Sequence, residues 1–156
     1  MHSKKNDWFF LFVASVIGFI FFKSAYGKLT GGEFVDGLAG TLKFFASENP
    51  HSFVKTFLTD TIIPNSILFG HFTMWGEFLS AVCILVPVVY YLFTRKRTKH
   101  MMFLLGIGFL VGAFLNWTFW FAAGWTSPST HSLNLLMGLI QSAGVVYVVK
   151  DYRNIK

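Results

Sequence analysis

The sequence predicts an all-α membrane protein: a four-transmembrane-helix bundle with short amphipathic helices in the outer connection between the first two spans. Four long apolar stretches run roughly over residues 8–26, 67–93, 101–125 and 133–149. Each is near the roughly 17 to 25 residues that a helix needs to cross about 30 Å of hydrocarbon. The segments between them alternate between rich and poor in Lys and Arg. The composition, 54% hydrophobic and 19% aromatic with 20 Phe among 156 residues, is too apolar for an ordinary soluble domain. Backbone in lipid must satisfy its own hydrogen bonds, so each stretch is expected to be helical.

The first stretch, Trp8 to Tyr26, follows Lys4 and Lys5 as the apolar part of a signal peptide would. Lys23 and Tyr26 stand where a small-residue cleavage site would be needed, so the stretch reads as a retained helix. Within it, Ala14 and Gly18 form a small-xxx-small pair suited to close helix contact. The connection from Lys28 to Pro64 is too long and too apolar for a plain loop. Thr30-Gly-Gly-Glu33 has the spacing of a capping box, after which Phe34, Leu38, Leu42 and Phe45 recur at helical spacing. Asn49 and Pro50 mark a second helix start; Phe53, Val54, Phe57 and Leu58 form its apolar stripe, and Pro64 is expected to end it. Two short helices on the outer membrane surface follow, serving as a lid over the bundle or as a docking surface for an extracytoplasmic partner.

The second span, Ile67 to Phe93, holds the only cysteine, Cys83, which rules out a disulfide within the chain, a CxxC pair and a thiolate metal cluster. The third, Met101 to Trp125, carries Gly108 and Gly112 as a GxxxG pair; the fourth runs from Leu133 to Val149. With no repeat, low-complexity run or linker, residues 1–156 read as a single domain. Lys and Arg gather before the first span, between the second and third (Arg95, Lys96, Arg97, Lys99) and after the fourth (Lys150, Arg153, Lys156). By the positive-inside rule the chain is multi-pass in the cell membrane with both termini cytoplasmic. The net charge of +6 reads as a surface attracted to anionic lipid; the expected partner is the bilayer, not nucleic acid.

Chemistry is sought among polar residues within the spans, because ionisable groups are costly in hydrocarbon. At 1.5 Å per residue, Glu77, Asn116 and Gln141 lie about 15, 13 and 12 Å below the outer surface, in one layer. Lys23 and His71 lie about 5 and 6 Å deep, so the outer half of the bundle reads as a polar pocket open to the outside. Each residue also has a structural reading. Glu77 can be a carboxyl bonded to Asn116 or Gln141, and those amides can be interhelical glue. Lys23 can snorkel to headgroups, or turn inward to bind an anion or reach Glu77 through an intermediate group. His71 is a proton carrier or quinone hydrogen-bond donor, or an interfacial packing residue, and its offset of six from Glu77 puts the two on different faces. Trp117, with Trp75, Trp120 and Trp125, is a wall for a quinone ring or an interface anchor. His71 and His131 do not form a facing pair for haem, and no P-loop, nucleophile elbow or HExxH motif occurs; no metal or haem is expected.

Phe22-Lys-Ser-Ala-Tyr-Gly-Lys28-Leu29, Phe44-Phe-Ala-Ser-Glu-Asn-Pro50 and Gly76-Glu77 together resemble the DoxX/DoxD family, from about Phe19 to Asp151. That family includes the small membrane subunit of thiosulfate:quinone oxidoreductase. By resemblance, Lys28 and Glu77 are its characteristic charged positions and Asn116 its polar position in the third helix. The family's fourth helix tends to end in Gly-Arg followed by Asp; here Val145 follows Gly144, and Asp151 remains. The resemblance implies a membrane subunit of a quinone-linked oxidoreductase, passing electrons from thiosulfate or another extracytoplasmic donor to quinone as substrate. Lys23 and Lys28 would attract the anion, Glu77 and His71 would carry protons, and Asn116, Trp117 and Gln141 would complete the quinone pocket. The other reading is a non-catalytic membrane binding or scaffold protein for a small solute, a lipid or an extracytoplasmic partner. Activity of the chain alone, a second membrane subunit and a homo-oligomer are left open.

Overall fold

The computed structural model describes residues 4–155, with side chains from residue 8 onward. The side chains of Lys4 and Lys5, and all of Lys156, which entered the charge pattern above, lie outside the described residues. The helices are α1 (Lys4–Gly31), α2 (Phe34–Ser47), α3 (Ser52–Phe57), α4 (Ser66–Thr94), α5 (Lys99–Ala123) and α6 (Pro128–Asn154). No strand occurs among the described residues. Four helical segments, containing α1, α4, α5 and α6, are long and apolar enough to cross a membrane.

These helices outrun the apolar stretches. Nothing in the sequence stops α1 at Tyr26, and it continues to Gly31, where Gly32 turns the chain at a φ of 71°. Thr98 starts α5 by accepting the Met101 amide at 3.3 Å, and Ser127 starts α6 by accepting the Thr130 amide at 3.1 Å, with Pro128 in the first turn. Arg95 closes α4 in the left-handed region, at a φ of 57°.

Two expectations about the connection fail. The Thr30–Glu33 capping box does not form, because Thr30 is still inside α1 and its hydroxyl donates to Tyr26 O at 2.8 Å. Glu33 precedes α2 without a side-chain cap bond. Nor does Pro64 end the helical path. Leu58–Ile62 forms a π turn and Ile63–Asn65 a 3-10 turn, and together they lead α3 into α4 without a loop. Widening and then tightening the turn accommodates a proline that has no N–H to give.

α1 packs along α4, α4 along α5 and α5 along α6, whereas α1 and α6 have no backbone contact comparable with these. Small residues set the close approaches. Ala14 is fully buried, and a side chain at Gly18 would meet Leu85 of α4. At Gly108 a Cβ would lie 3.0 Å from the Ile84 nitrogen, and Ser80 Oγ donates to Gly108 O across the same α4–α5 contact at 2.9 Å. The main core gathers Ile17, Phe21, Ile84, Leu105 and Phe109. A second cluster joins Leu42 and Ala46 of α2, Val54 of α3 and Leu58 to Ala122 at the end of α5. There Asn49 donates to Phe121 O and Ala122 O at 3.2 and 3.0 Å, and the Trp125 indole donates to Phe45 O at 3.2 Å. At the opposite end Arg97 pairs with Asp151 at 2.6 Å, and Arg95 lies over the Trp8 ring at 4.8 Å.

Candidate functional site

The continuation of α1 past Tyr26 puts Lys28 on its last turns, one turn beyond Ser24. Helical side chains lean toward the N-terminus of their helix, so Lys28 bends back along α1 and not away from the bundle. Its ammonium meets Glu77 of α4 at 2.6 Å (Oε2) and 2.8 Å (Oε1), and Ser24 Oγ at 2.7 Å. The Phe34 ring of α2 covers the ammonium at 5.0 Å. The Glu77 side chain is 4% exposed and that of Lys28 20%. The pair thus has a carboxylate sealed in the bundle and an ammonium that reaches the surface.

That surface is a groove of about 600 Å³ running along α1. Phe19, Ile20 and Gly27 give it an apolar wall, Phe34 closes it on the α2 side, and Lys23, Ser24 and Lys28 supply its polar atoms. Lys28 can donate three hydrogens, and Ser24 and the two Glu77 oxygens already accept them. Lys23 is exposed and forms no ion pair among the described residues. Of the two lysines in the groove, Lys23 is the one whose ammonium is open to a ligand.

A second polar group lies deeper. Asn116 Nδ2 donates to Gln141 Oε1 at 2.9 Å and to Gly112 O at 3.1 Å. Gln141 is fully buried, and its Nε2 has no protein partner. A Cβ at Gly112 would stand 2.7 Å from that nitrogen, 2.8 Å from Ser80 Oγ and 3.0 Å from the Phe21 ring, so the absent side chain is what lets the two polar atoms crowd against the α5 backbone. Ser80 is one turn beyond Glu77 on α4, and the two clusters occupy neighbouring turns of that helix.

The residues singled out from sequence thus divide. Lys28 and Glu77 meet, and Asn116 and Gln141 meet, whereas Glu77 is bonded to neither amide and has Lys28 as its partner. His71 is exposed on α4, away from the Lys28–Glu77 contact. Trp117 belongs to the α5–α6 contact: its indole donates to Ser142 Oγ at 3.2 Å, and its ring lies where a side chain at Gly138 would be. Ser24 and Ser80 were not anticipated. Ser24 was detectable as the residue one turn before Lys28, whereas Ser80 depends on the approach of α4 to Gly108 and has no signal in its own segment. Comparison of the chain with protein-family models, with curated proteins and with solved structures finds no match.

Proposed function

We propose that this chain is a DoxX/DoxD-type subunit of the cell membrane that binds a quinone in the α1 groove and serves a quinone-linked oxidoreductase. The observation that carries this reading is the sealed Lys28–Glu77 pair beside an apolar groove that holds the uncompensated Lys23. A quinone has an apolar tail and carbonyl oxygens that accept hydrogen bonds. Phe19 and Ile20 suit the tail, and the Lys23 ammonium suits a carbonyl. Reduction of a quinone takes up two electrons and two protons. The electrons come from thiosulfate or another extracytoplasmic donor, and the Lys28–Glu77 pair passes protons through the Lys28 ammonium. With Arg95, Lys96, Arg97, Lys99, Lys150 and Arg153 at one end, the positive-inside rule puts that end in the cytoplasm. The groove and the amphipathic α2–α3 lid then lie at the outer surface.

The test is thiosulfate-dependent reduction of a soluble quinone analogue by membranes containing the chain, compared with Glu77→Gln and Lys23→Gln. Lys23 is exposed, so its variant separates ligand binding from folding. Loss of turnover in Glu77→Gln, with a raised KM in Lys23→Gln, supports the reading; undiminished turnover in both refutes it. The saturation of Lys28 by its own neighbours favours a second reading, a non-catalytic membrane binding or scaffold protein. On that reading the analogue leaves the Tm of the purified chain unchanged and no reduction is seen, whereas a quinone site raises Tm with analogue concentration.

A further inference from the structure

The gap between α1 and α6 holds a second groove, of about 350 Å³. Phe9, Phe10 and Val13 form its α1 side, and Ile140, Ala143 and Tyr147 its α6 side. Phe109 of α5 is the floor, brought up against Gly144, where a Cβ would lie 3.0 Å from its ring. The seam is bridged by side chains: Phe10 stacks on Tyr147 at 4.1 Å and lies 5.8 Å from Phe109. This site is separate from the Lys23–Lys28 groove.

Its lining is apolar, and the face that forms it continues into charge. Ile140, Ala143, Gly144 and Tyr147 recur at helical spacing, and the next residue in that series is Lys150, seven positions after Ala143 and so on almost the same bearing around α6. Lys150 is exposed and forms no ion pair among the described residues, whereas Asp151 beside it is taken by Arg97. The same end of the bundle carries Arg95, Lys96, Lys99 and Arg153. An apolar slot between spanning helices with a cation at its mouth is complementary to one membrane component, a phospholipid with an anionic headgroup.

We infer that the α1–α6 seam is a binding site for an anionic phospholipid, with an acyl chain in the groove over Ala143 and Gly144 and the phosphate at Lys150. The small side chain of the exposed Ala143 leaves space for the chain, Gly144 lets Phe109 come up as the floor, and Lys150 selects the headgroup.

The test measures Tm of the purified full chain in neutral detergent micelles, titrated with phosphatidylglycerol or with phosphatidylcholine of the same acyl chains. Phosphatidylglycerol should raise Tm with concentration, and phosphatidylcholine should do so much less. Lys150→Gln should weaken the apparent affinity for phosphatidylglycerol about fivefold and leave that for phosphatidylcholine unchanged, the effect of one cation near an anionic headgroup. Ala143→Phe fills the groove from an exposed position and should abolish the lipid-dependent rise without lowering the lipid-free Tm. Glycerol phosphate, which has the headgroup charge and no chain, should give no rise. Equal responses to the two lipids, discrimination that survives Lys150→Gln, or a rise with glycerol phosphate alone would each overturn the inference.

Discussion

Removing the two ends of the Lys28–Glu77 pair should cost unequal amounts. At the observed 2.6 Å separation and an effective dielectric of about 20, the direct attraction is about 6 kcal/mol, much of it offset by the desolvation of both charges. Taking away one partner of a buried pair costs about 3–5 kcal/mol, because the other charge is left uncompensated. Lys28→Met strands Glu77, which is sealed in the bundle at 4% exposure, and should fall near 4 kcal/mol. Glu77→Met strands a lysine that is 20% exposed, keeps Ser24 and can extend to the surface; about 2 kcal/mol is expected. The double variant removes both charges together and should lie within about 1 kcal/mol of the parent. The resulting coupling energy, about 5 kcal/mol or more, is read from a double-mutant cycle of unfolding free energies in micelles titrated with a denaturing detergent. Additivity of the two single variants within about 0.5 kcal/mol would refute the reasoning, and a costlier Glu77→Met would refute the burial argument.

Gly108→Ala should destabilise by about 2 kcal/mol, since its new Cβ meets backbone atoms of Ile84 and Cys83; Gly18→Ala, which meets only side-chain atoms of Leu85 and Ile84, should cost less. Thermal unfolding of the two proteins checks that order. Asn49→Ala removes both bonds that hold the α2–α3 corner to the end of α5, and limited proteolysis should then cut near Pro50 at a lower protease concentration than in the parent. Asn116→Leu leaves the buried Gln141 amide with no partner and should cost about 1–3 kcal/mol; Gln141→Leu removes an already orphaned donor and leaves Asn116 bonded to Gly112 O, so it should cost less. Equal unfolding free energies for the last two variants would show that the amide pair does not act as described.

Hydrophobic run length made the spans legible, because a membrane-length apolar helix leaves a signal that does not depend on its neighbours. The pairing of polar residues was less accessible. Counting depth brought Glu77, Asn116 and Gln141 into one layer, and two of them do bond, but depth carries no information on which way a helix face points. Hydropathy falls at Tyr26, which puts Lys28 beyond the span. Two facts absent from that profile bring it to Glu77: α1 persists to Gly31, and its side chains lean back toward the bundle. The capping box failed for the same reason, since a hydroxyl inside a continuing helix bonds the carbonyl one turn back. Pro64 marked a real irregularity but not its form, because a π turn followed by a 3-10 turn has no distinctive residue pattern.

The passage from Leu58 to Asn65 also sets how the chain tolerates changes in length. A π turn holds one residue more than an α turn, so it acts as a spacer in the phase of the helix. Because the π turn spreads its extra residue over nearly the angle that an α turn sweeps with one fewer, deleting a single residue there would let a regular turn form and leave α3 facing nearly as it does relative to α4. Val54 would keep its place in the cluster with Leu42, and Asn49 its bonds to the end of α5. A second deletion has no such slack to draw on and would rotate everything before it by about 100° relative to α4, so the segment should accept the loss of one residue and not of two.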